Sequence, residues 1–415
     1  MPRIENCKLR RVVVTGMAGL SPIGCDWETV SANLRKGYTG IRHFDEWREF
    51  EGLNSFLGAP VVDFEVPAHY PRKMRRSMGR VSLLAVKATE LALEDAGLVD
   101  DPILTSGRTG VSHGSSVGAK QSIREFGQML ESRSTGSIHA NTYIKMMPHT
   151  TATAISLFFG LTGRLIPSSS ACTSGSLSIG MAYEMIKFGL QDVMIAGGSE
   201  ELSVGDVIAF DALYATSTRN DEPDQTPRPF DVNRDGLVVG EGAGTLVLED
   251  LDRALARGAE IHAEVVGFGT NSDGKHPTQP TMETMAEAMR LALVDADLPR
   301  DKIDYVNAHG TATDIGDVAE SQATEFALGK GVPISSLKSY IGHTLGACGS
   351  LEAWMTLRMT KEGWVAPTIN LTHVDERCGD LDYVMAGPRE LQCDHIMSNN
   401  FAFGGVNTSL IFSIN

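Results

Sequence analysis

The chain has 415 residues, 42% of them hydrophobic and 21% charged, a balance ordinary for a folded globular protein and a length beyond what one core supports, so two domains or two fused halves are expected. With 36 basic against 52 acidic side chains the formal net charge is −16, which argues against nucleic acid as a bulk partner. No apolar run approaches the ~18 residues of a membrane span, residues 1–8 carry no signal-peptide core, and the six cysteines (7, 25, 172, 348, 378 and 393) are scattered singly, so a cytoplasmic protein with neither a disulfide framework nor a zinc site is expected.

In chain order, residues 11–16 read as a short buried strand broken by Gly16, and Asp26 reads as the cap of a helix running to about residue 35. Residues 40–76 look irregular and close on the densest basic cluster of the chain, Arg72, Lys73, Arg75 and Arg76. Val81, Leu84, Ala85, Ala88, Leu91 and Ala92 recur at helical spacing until Gly97. A strand begins at 108 and dissolves into small residues, and 120–160 reads as helical in pieces, with Met146, Met147, Ile155, Phe158 and Phe159 on its apolar stripe. Strands follow at 192–198 and 245–249, then an exposed helix at 252–257 and a second strand-to-glycine start at 262–269. From there the rhythm returns, with helices at 281–296, 315–328 and 345–361 and strands at 303–308, 333–337, 381–385 and 408–413. Such alternation predicts an α/β fold with helix-covered sheets in two similar halves, 10–256 and 257–415.

The chemistry concentrates where strands end in turns of small residues. In residues 165–177 an apolar strand gives way to Ser168, Ser169, Ser170 and Ala171, then to Cys172 at the start of a helix expected from about 173 to 188. Unpaired N–H groups at a helix start favour an anion, so this thiol is expected to have a lowered pKa and a raised thiolate fraction. A lone cysteine is more often packing than chemistry, but three further stretches of the same build change the reading. His309 lies in Ala308-His309-Gly310-Thr311-Ala312-Thr313, with Asp317 and Glu320 on the helix behind it. His343 closes Lys338-Ser339-Tyr340-Ile341-Gly342-His343, ahead of a helix carrying Glu352. The last stretch is Asn400-Phe401-Ala402-Phe403-Gly404-Gly405. Strand ends of such folds are where ligands collect, so one cysteine and two histidines placed there make a nucleophile with two proton handlers. Lys338, with Glu320 and Glu352 at suitable offsets, predicts a buried ion pair that holds the site together.

These runs, in this order and together with Ser217-Thr218-Arg219-Asn220-Asp221 and Gly240-Glu241-Gly242-Ala243-Gly244, resemble the β-ketoacyl-acyl carrier protein synthases of the elongating KAS II type, over about residues 11–414. The resemblance implies the thiolase fold, five layers α-β-α-β-α built from two halves related by a pseudo-twofold axis, and a protein that works as a homodimer or beside a chain-length-factor subunit. It implies that Cys172 takes an acyl group from an acyl-carrier-protein thioester, with the backbone N–H groups of Cys172 and Phe403 as oxyanion hole. His309 and His343 would assist decarboxylation of malonyl-carrier protein. Phe403, flanked by Phe401 and Gly404, would gate the acyl pocket, and Thr311 and Thr313 would touch the 4'-phosphopantetheine arm. The resemblance implies no metal and no other cofactor. Arg72, Lys73, Arg75 and Arg76 are the cations expected to dock the acidic carrier protein.

Some positions depart from that pattern. Ala402 stands where glycine is common, and Ala312 where serine is frequent. His113 replaces an apolar residue expected along the acyl pocket, and with Met146 and Met147 it suggests a flat, unsaturated or aryl chain, as in the ketosynthases of aryl-polyene and related type II polyketide clusters. A degradative thiolase needs a second cysteine on the last glycine-rich loop, which has none here. A priming condensing enzyme places asparagine at the position of His343, and a non-catalytic chain-length factor lacks the cysteine.

Overall fold

Both halves of the chain build the same run of elements. The computed structural model describes residues 9–136 and 138–414, so the polar segment 1–8 with Cys7 lies outside the described residues. The first half runs β1 (Val12–Leu20), α1 (Arg80–Asp95), β2 (Thr109–Gly114), α2 (Thr150–Phe159), β3 (Leu165–Pro167), α3 (Ser174–Lys187), β4 (Val193–Glu200) and β5 (Gly242–Asp250). The second repeats it as β6 (Ala263–Ser272), α4 (Met282–Ala296), β7 (Tyr305–Asn307), α5 (Asp314–Leu328), β8 (Pro333–Ser335), α6 (Cys348–Lys361), β9 (His395–Ala402) and β10 (Val406–Ser413).

The strand order is β3-β2-β4-β5-β1 in one half and β8-β7-β9-β10-β6 in the other, with Asp382–Tyr383 added beyond β8. In each half the first three strands of that order are parallel and the last two antiparallel. The halves join where Val12–Val14 of β1 runs antiparallel to Ala263–Val265 of β6, so one 11-stranded sheet spans the molecule.

Strands covered on both faces must be apolar on both faces, and these are. Val193, Ile195 and Val247 pack outward with Ala85, Ala92, Ala152 and Ile155 of α1 and α2, while Met194, Ala196, Leu246 and Leu248 pack inward. In the second half Met397 and Ile411 face Met285, Met289 and Leu293 of α4, while Ile396, Leu410 and Phe412 face inward. The inward faces meet around α3 and α6, through Ile179, Tyr183, Ile186, Leu351, Trp354 and Met355. Helix, sheet, paired helices, sheet and helix make the five layers that the resemblance implies.

The two central helices begin side by side. A Cβ on Gly175 would come within 2.9 Å of the Ser350 backbone nitrogen, and one on Gly349 within 2.6 Å of that of Ser176. Glycine at both positions therefore lets the turn that carries Cys172 lie against the turn that follows His343. Each turn is a short 3-10 stretch, Ala171–Thr173 before α3 and Leu345–Ala347 before α6. Each also begins with a non-glycine residue held left-handed, Ala171 at φ 51° and Leu345 at φ 46°. Such backbone costs on the order of 1–3 kcal/mol and persists where the surrounding packing over-determines it.

The segments between the repeats hold smaller features. Arg42–His43 and Leu57–Ala59 form a small sheet with Val239–Gly240 inside the stretch expected to be irregular. The basic cluster lies on a one-turn helix, Arg72–Arg75. No helix of the described residues is long and apolar enough to cross a membrane.

Candidate active site

Four turns at strand ends converge on one point. Cys172 lies beyond β3, His309 beyond β7, Lys338 and His343 beyond β8, and Phe403 between β9 and β10. Cys172 is 5% exposed, and its Sγ stands 3.0 Å from His343 Nε2. The His309 and His343 rings are 5.1 Å apart and nearly perpendicular. Donor atoms of the three side chains all lie within 4.8 Å of one another. A soft cation held by that set would occupy the thiol and both imidazoles together.

The protonation pattern corrects one expectation. Burial pushes the Cys172 thiol up to about 11, even though the Lys338 ammonium and the backbone N–H groups of Phe403 and Cys172 pull the other way. The resting group is therefore a thiol, because loss of water outweighs the field at the helix start. His343 and His309 are both held well below the usual histidine value, by burial first and by Lys338 second. A neutral imidazole 3.0 Å from the sulfur is placed to take its proton as it attacks. The two N–H groups aimed at the sulfur, from Phe403 and Cys172, are those expected to form the oxyanion hole.

Lys338 and Glu352 form the buried pair, Nζ to Oε1 at 2.5 Å with both side chains fully enclosed. Burial is the largest influence on Lys338 and opposes its charge, but the Glu352 carboxylate with Cys348 and Glu320 together outweigh it, so its pKa is raised and the ammonium is retained. Glu320 is not part of that ion pair. Its two oxygens accept the backbone N–H groups of His309 at 2.6 Å and Gly310 at 2.7 Å, and burial pushes it up to about 8 against those bonds. Asp317 clamps the next step of the same turn, accepting from Thr311 at 3.0 Å and Ala312 at 3.1 Å, and from Phe230 at 2.8 Å. These two carboxylates hold backbone, which is why Ala312 can sit at φ 65° without a side chain to secure it.

A cavity of about 410 Å³ opens from Cys172, His309 and His343 to the surface. Thr311 and Thr313 line it, their hydroxyls 3.0 Å apart, as do Phe401 and Phe403. Phe401 is buried with its ring edge-on to His309, whereas Phe403 is 37% exposed and tilted against Phe210 at 5.4 Å. Gly404 and Gly405 both take positive φ beyond it, and a Cβ on Gly405 would strike Asp273 at 2.7 Å.

Other expected contacts do not form in the single chain. His113, Met146 and Met147 do not line this cavity. His113 lies near the end of β2, opposite Pro167 and Gly197, fully buried with neither ring nitrogen partnered among the described residues, and burial pushes it down to about 3. Two residues after Val111 on the same strand, it shares the face that packs against α1 and α2, not the strand-end cavity. Met146 and Met147 are half-buried at the end of the helix Ala140–Met146. Arg72, Lys73, Arg75 and Arg76 are all exposed, with no ion pair among the described residues.

Two lining residues carried no signal of their own in the sequence. Phe210, 6.5 Å from the His343 ring, belongs to the short helix Val204–Asp211. Arg234, with its side chain 1% exposed, donates to the carbonyls of Thr313 and Asp314 and pairs with Asp375 at 2.8 Å, bracing the threonine loop from below.

Comparisons with known proteins agree with this geometry. Residues 9–254 match the family Beta-ketoacyl synthase, N-terminal domain, and residues 262–372 match Beta-ketoacyl synthase, C-terminal domain. The 3-oxoacyl-[acyl-carrier-protein] synthase 2 of Vibrio cholerae is 41% identical over 97% of this chain and 99% of its own. A crystal structure of a beta-ketoacyl synthase from Burkholderia phymatum superposes with a TM-score of 0.97 at 59% identity, covering 98% of this chain and 100% of that one. The ishigamide ketosynthase/chain length factor superposes at 0.89 with 33% identity, over 98% of this chain and 100% of that one.

Proposed function

The chain belongs to the β-ketoacyl synthase family of condensing acyltransferases, and from that premise we propose that it joins an acyl group held on Cys172 to malonyl-carrier protein with loss of carbon dioxide. The observation that carries the residue assignment is the contact of Cys172 Sγ with His343 Nε2 at the closed end of a cavity whose walls include His309, Thr311 and Thr313.

In the first half-reaction the sulfur attacks the carrier thioester carbonyl as its proton passes to His343 Nε2. The Phe403 and Cys172 N–H groups hold the oxyanion, a contribution of several kcal/mol in such sites. The proton then goes to the departing pantetheine thiolate, which leaves His343 neutral again. In the second half-reaction malonyl-carrier protein loses carbon dioxide, and its thioester oxygen takes on enolate charge between His309 and His343. The enolate carbon forms a bond to the acyl carbon, the C–S bond to Cys172 breaks, and the thiolate takes up one proton from solvent, the proton the decarboxylative reaction consumes overall. Every step uses side chains, backbone N–H groups and the substrates' own thioesters, so the reaction as assigned calls for no bound cofactor.

The substrate partner in this reading is an acyl carrier protein, met in the cytoplasm, and the chain pairs either with a second copy or with a chain-length factor. Arg72, Lys73, Arg75 and Arg76 form the docking patch we assign, being exposed cations unpaired among the described residues on a chain of net charge −16. The Lys73→Glu, Arg76→Glu double variant should raise KM for an acyl-carrier protein about tenfold or more, by loss of electrostatic steering. The same variant should leave KM for a short pantetheine thioester unchanged. An equal rise for both substrates removes the patch from the docking site.

For the acyl chain we propose an aryl or polyenoyl group. With His113, Met146 and Met147 outside the cavity of the single chain, this reading rests on the resemblance in sequence and not on side chains that line the cavity. Cinnamoyl- or polyenoyl-carrier protein should exceed octanoyl-carrier protein by about tenfold in kcat/KM when the two compete. A tie, or a win for octanoyl, assigns the protein to general chain elongation and leaves the condensing chemistry in place.

A further inference from the structure

The two histidines meet different neighbours on the side away from the cavity, and Asn400 makes the difference. Asn400 lies near the end of β9, fully buried. Its Nδ2 donates to Glu352 Oε2 at 3.0 Å, and Glu352 is the carboxylate paired with Lys338. A carboxylate accepts only, so this contact fixes which end of the amide is nitrogen. The second hydrogen of that nitrogen faces His309 Nδ1 at 3.4 Å and Cys348 Sγ at 3.6 Å. Sulfur is the weaker acceptor, and the Cys348 thiol points its own hydrogen to the Cys172 carbonyl at 3.1 Å. A neutral imidazole that accepts at Nδ1 carries its hydrogen on Nε2.

His343 has no such selector. Its Nε2 faces Cys172 Sγ, and its Nδ1 is buried with no hydrogen-bond partner among the described residues. Facing a thiol, Nε2 is the accepting nitrogen and the ring hydrogen sits on Nδ1, where no described partner fixes it, so the ring can accept a proton from the sulfur and hand it on.

We infer that Asn400 is a positioning residue that fixes His309 as a standing Nε2–H donor, so that His309 holds the enolate oxygen without exchanging its proton while His343 alone shuttles. The inference rests on the condensing reaction assigned above, and it predicts different damage to the two half-reactions. Asn400→Leu, similar in volume and unable to donate, should slow carbon dioxide release from malonyl-carrier protein by about ten- to a hundredfold, the range seen when the orienting partner of a metal-bound histidine is lost. It should leave acyl loading and alkylation of Cys172 at the wild-type rate, because those steps run through His343. An equal loss in both half-reactions would mean that Asn400 only supports the fold.

The wild-type protein supplies a second readout that needs no variant. Long-range proton–nitrogen correlation spectra of histidine-labelled enzyme should show His309 as a single Nε2–H tautomer, assigned by its absence from His309→Asn protein. An Nδ1–H tautomer, or an even mixture, overturns the inference. That spectrum is independent of turnover, so a wild-type protein that releases no carbon dioxide would contradict the assigned reaction and not the role of Asn400.

Discussion

Cys172→Ser protein should load no acyl group, with transfer from an acyl-carrier thioester down by about three orders of magnitude or more. The reason is the proton balance at the sulfur. Burial already pushes the native thiol up to about 11, and the base that must take its proton is a neutral imidazole at 3.0 Å, itself held well below the ordinary histidine value. A thiol can pass its proton to such a base as the bond to carbon forms, whereas a serine hydroxyl is far harder to ionise and a weaker nucleophile. Intact-mass measurement after incubation with acyl-carrier protein should find the acyl increment on wild type and none on the serine variant. An adduct at any other residue of the wild type would sink the assignment. Cys172→Gln separates the half-reactions, since its neutral amide occupies about the space of an acylated stub and leaves both histidines in place. That variant should accept no acyl group and still release carbon dioxide from malonyl-carrier protein.

That Cys172, His309 and His343 come together was legible in the amino-acid sequence because each sits in a local pattern, an apolar strand followed by small residues and a turn, and such patterns survive without knowledge of packing. The twofold repetition of the fold was legible for the same reason, as a rhythm of strands and helices. What was not legible depends on contacts across the chain. The Cys172 thiol was expected to be acidic from its place at a helix start, a local feature. Its rise follows from burial in a cluster with Trp47, Val207, Leu237, Leu345 and Cys348, brought together from across the chain. Glu320 and Asp317 were placed correctly beside the histidine turn, but their offsets could not say that they hold backbone N–H groups while Glu352 alone meets Lys338. Asn400 stood within a recognised stretch, yet its partners come from β7, α6 and the turns beside them, so no spacing in the chain announced it. His113, Met146 and Met147 were placed along the acyl pocket by likeness, and the strand period of two sends His113 elsewhere.

The Lys338–Glu352 pair offers the clearest separation of stability from electrostatics. Removing one member of a buried pair strands the other, so Lys338→Met should lower unfolding free energy by about 3–5 kcal/mol. Glu352 would then be left with the amide groups of Asn400 and Asn307 and no cation. Adding Glu352→Leu removes the stranded charge, and denaturant titration of the double variant should recover most of that loss. Activity should not recover with it. Lys338 is one of the two causes, after burial, that hold His343 below its ordinary value, and together with burial and His343 it does the same for His309. Without the ammonium both imidazoles gain protons at a higher pH. A protonated His343 accepts nothing from Cys172, so the acid limb of the rate profile should move upward in pH in the double variant, while the alkaline limb, set by the thiol, loses the cation that favours its thiolate and moves upward too. A profile that stays where wild type has it, in a variant whose stability has returned, would reduce Lys338 to a structural part. A profile displaced upward on both limbs identifies the buried ammonium as the charge that keeps two histidines neutral beside a nucleophile that burial alone would leave inert.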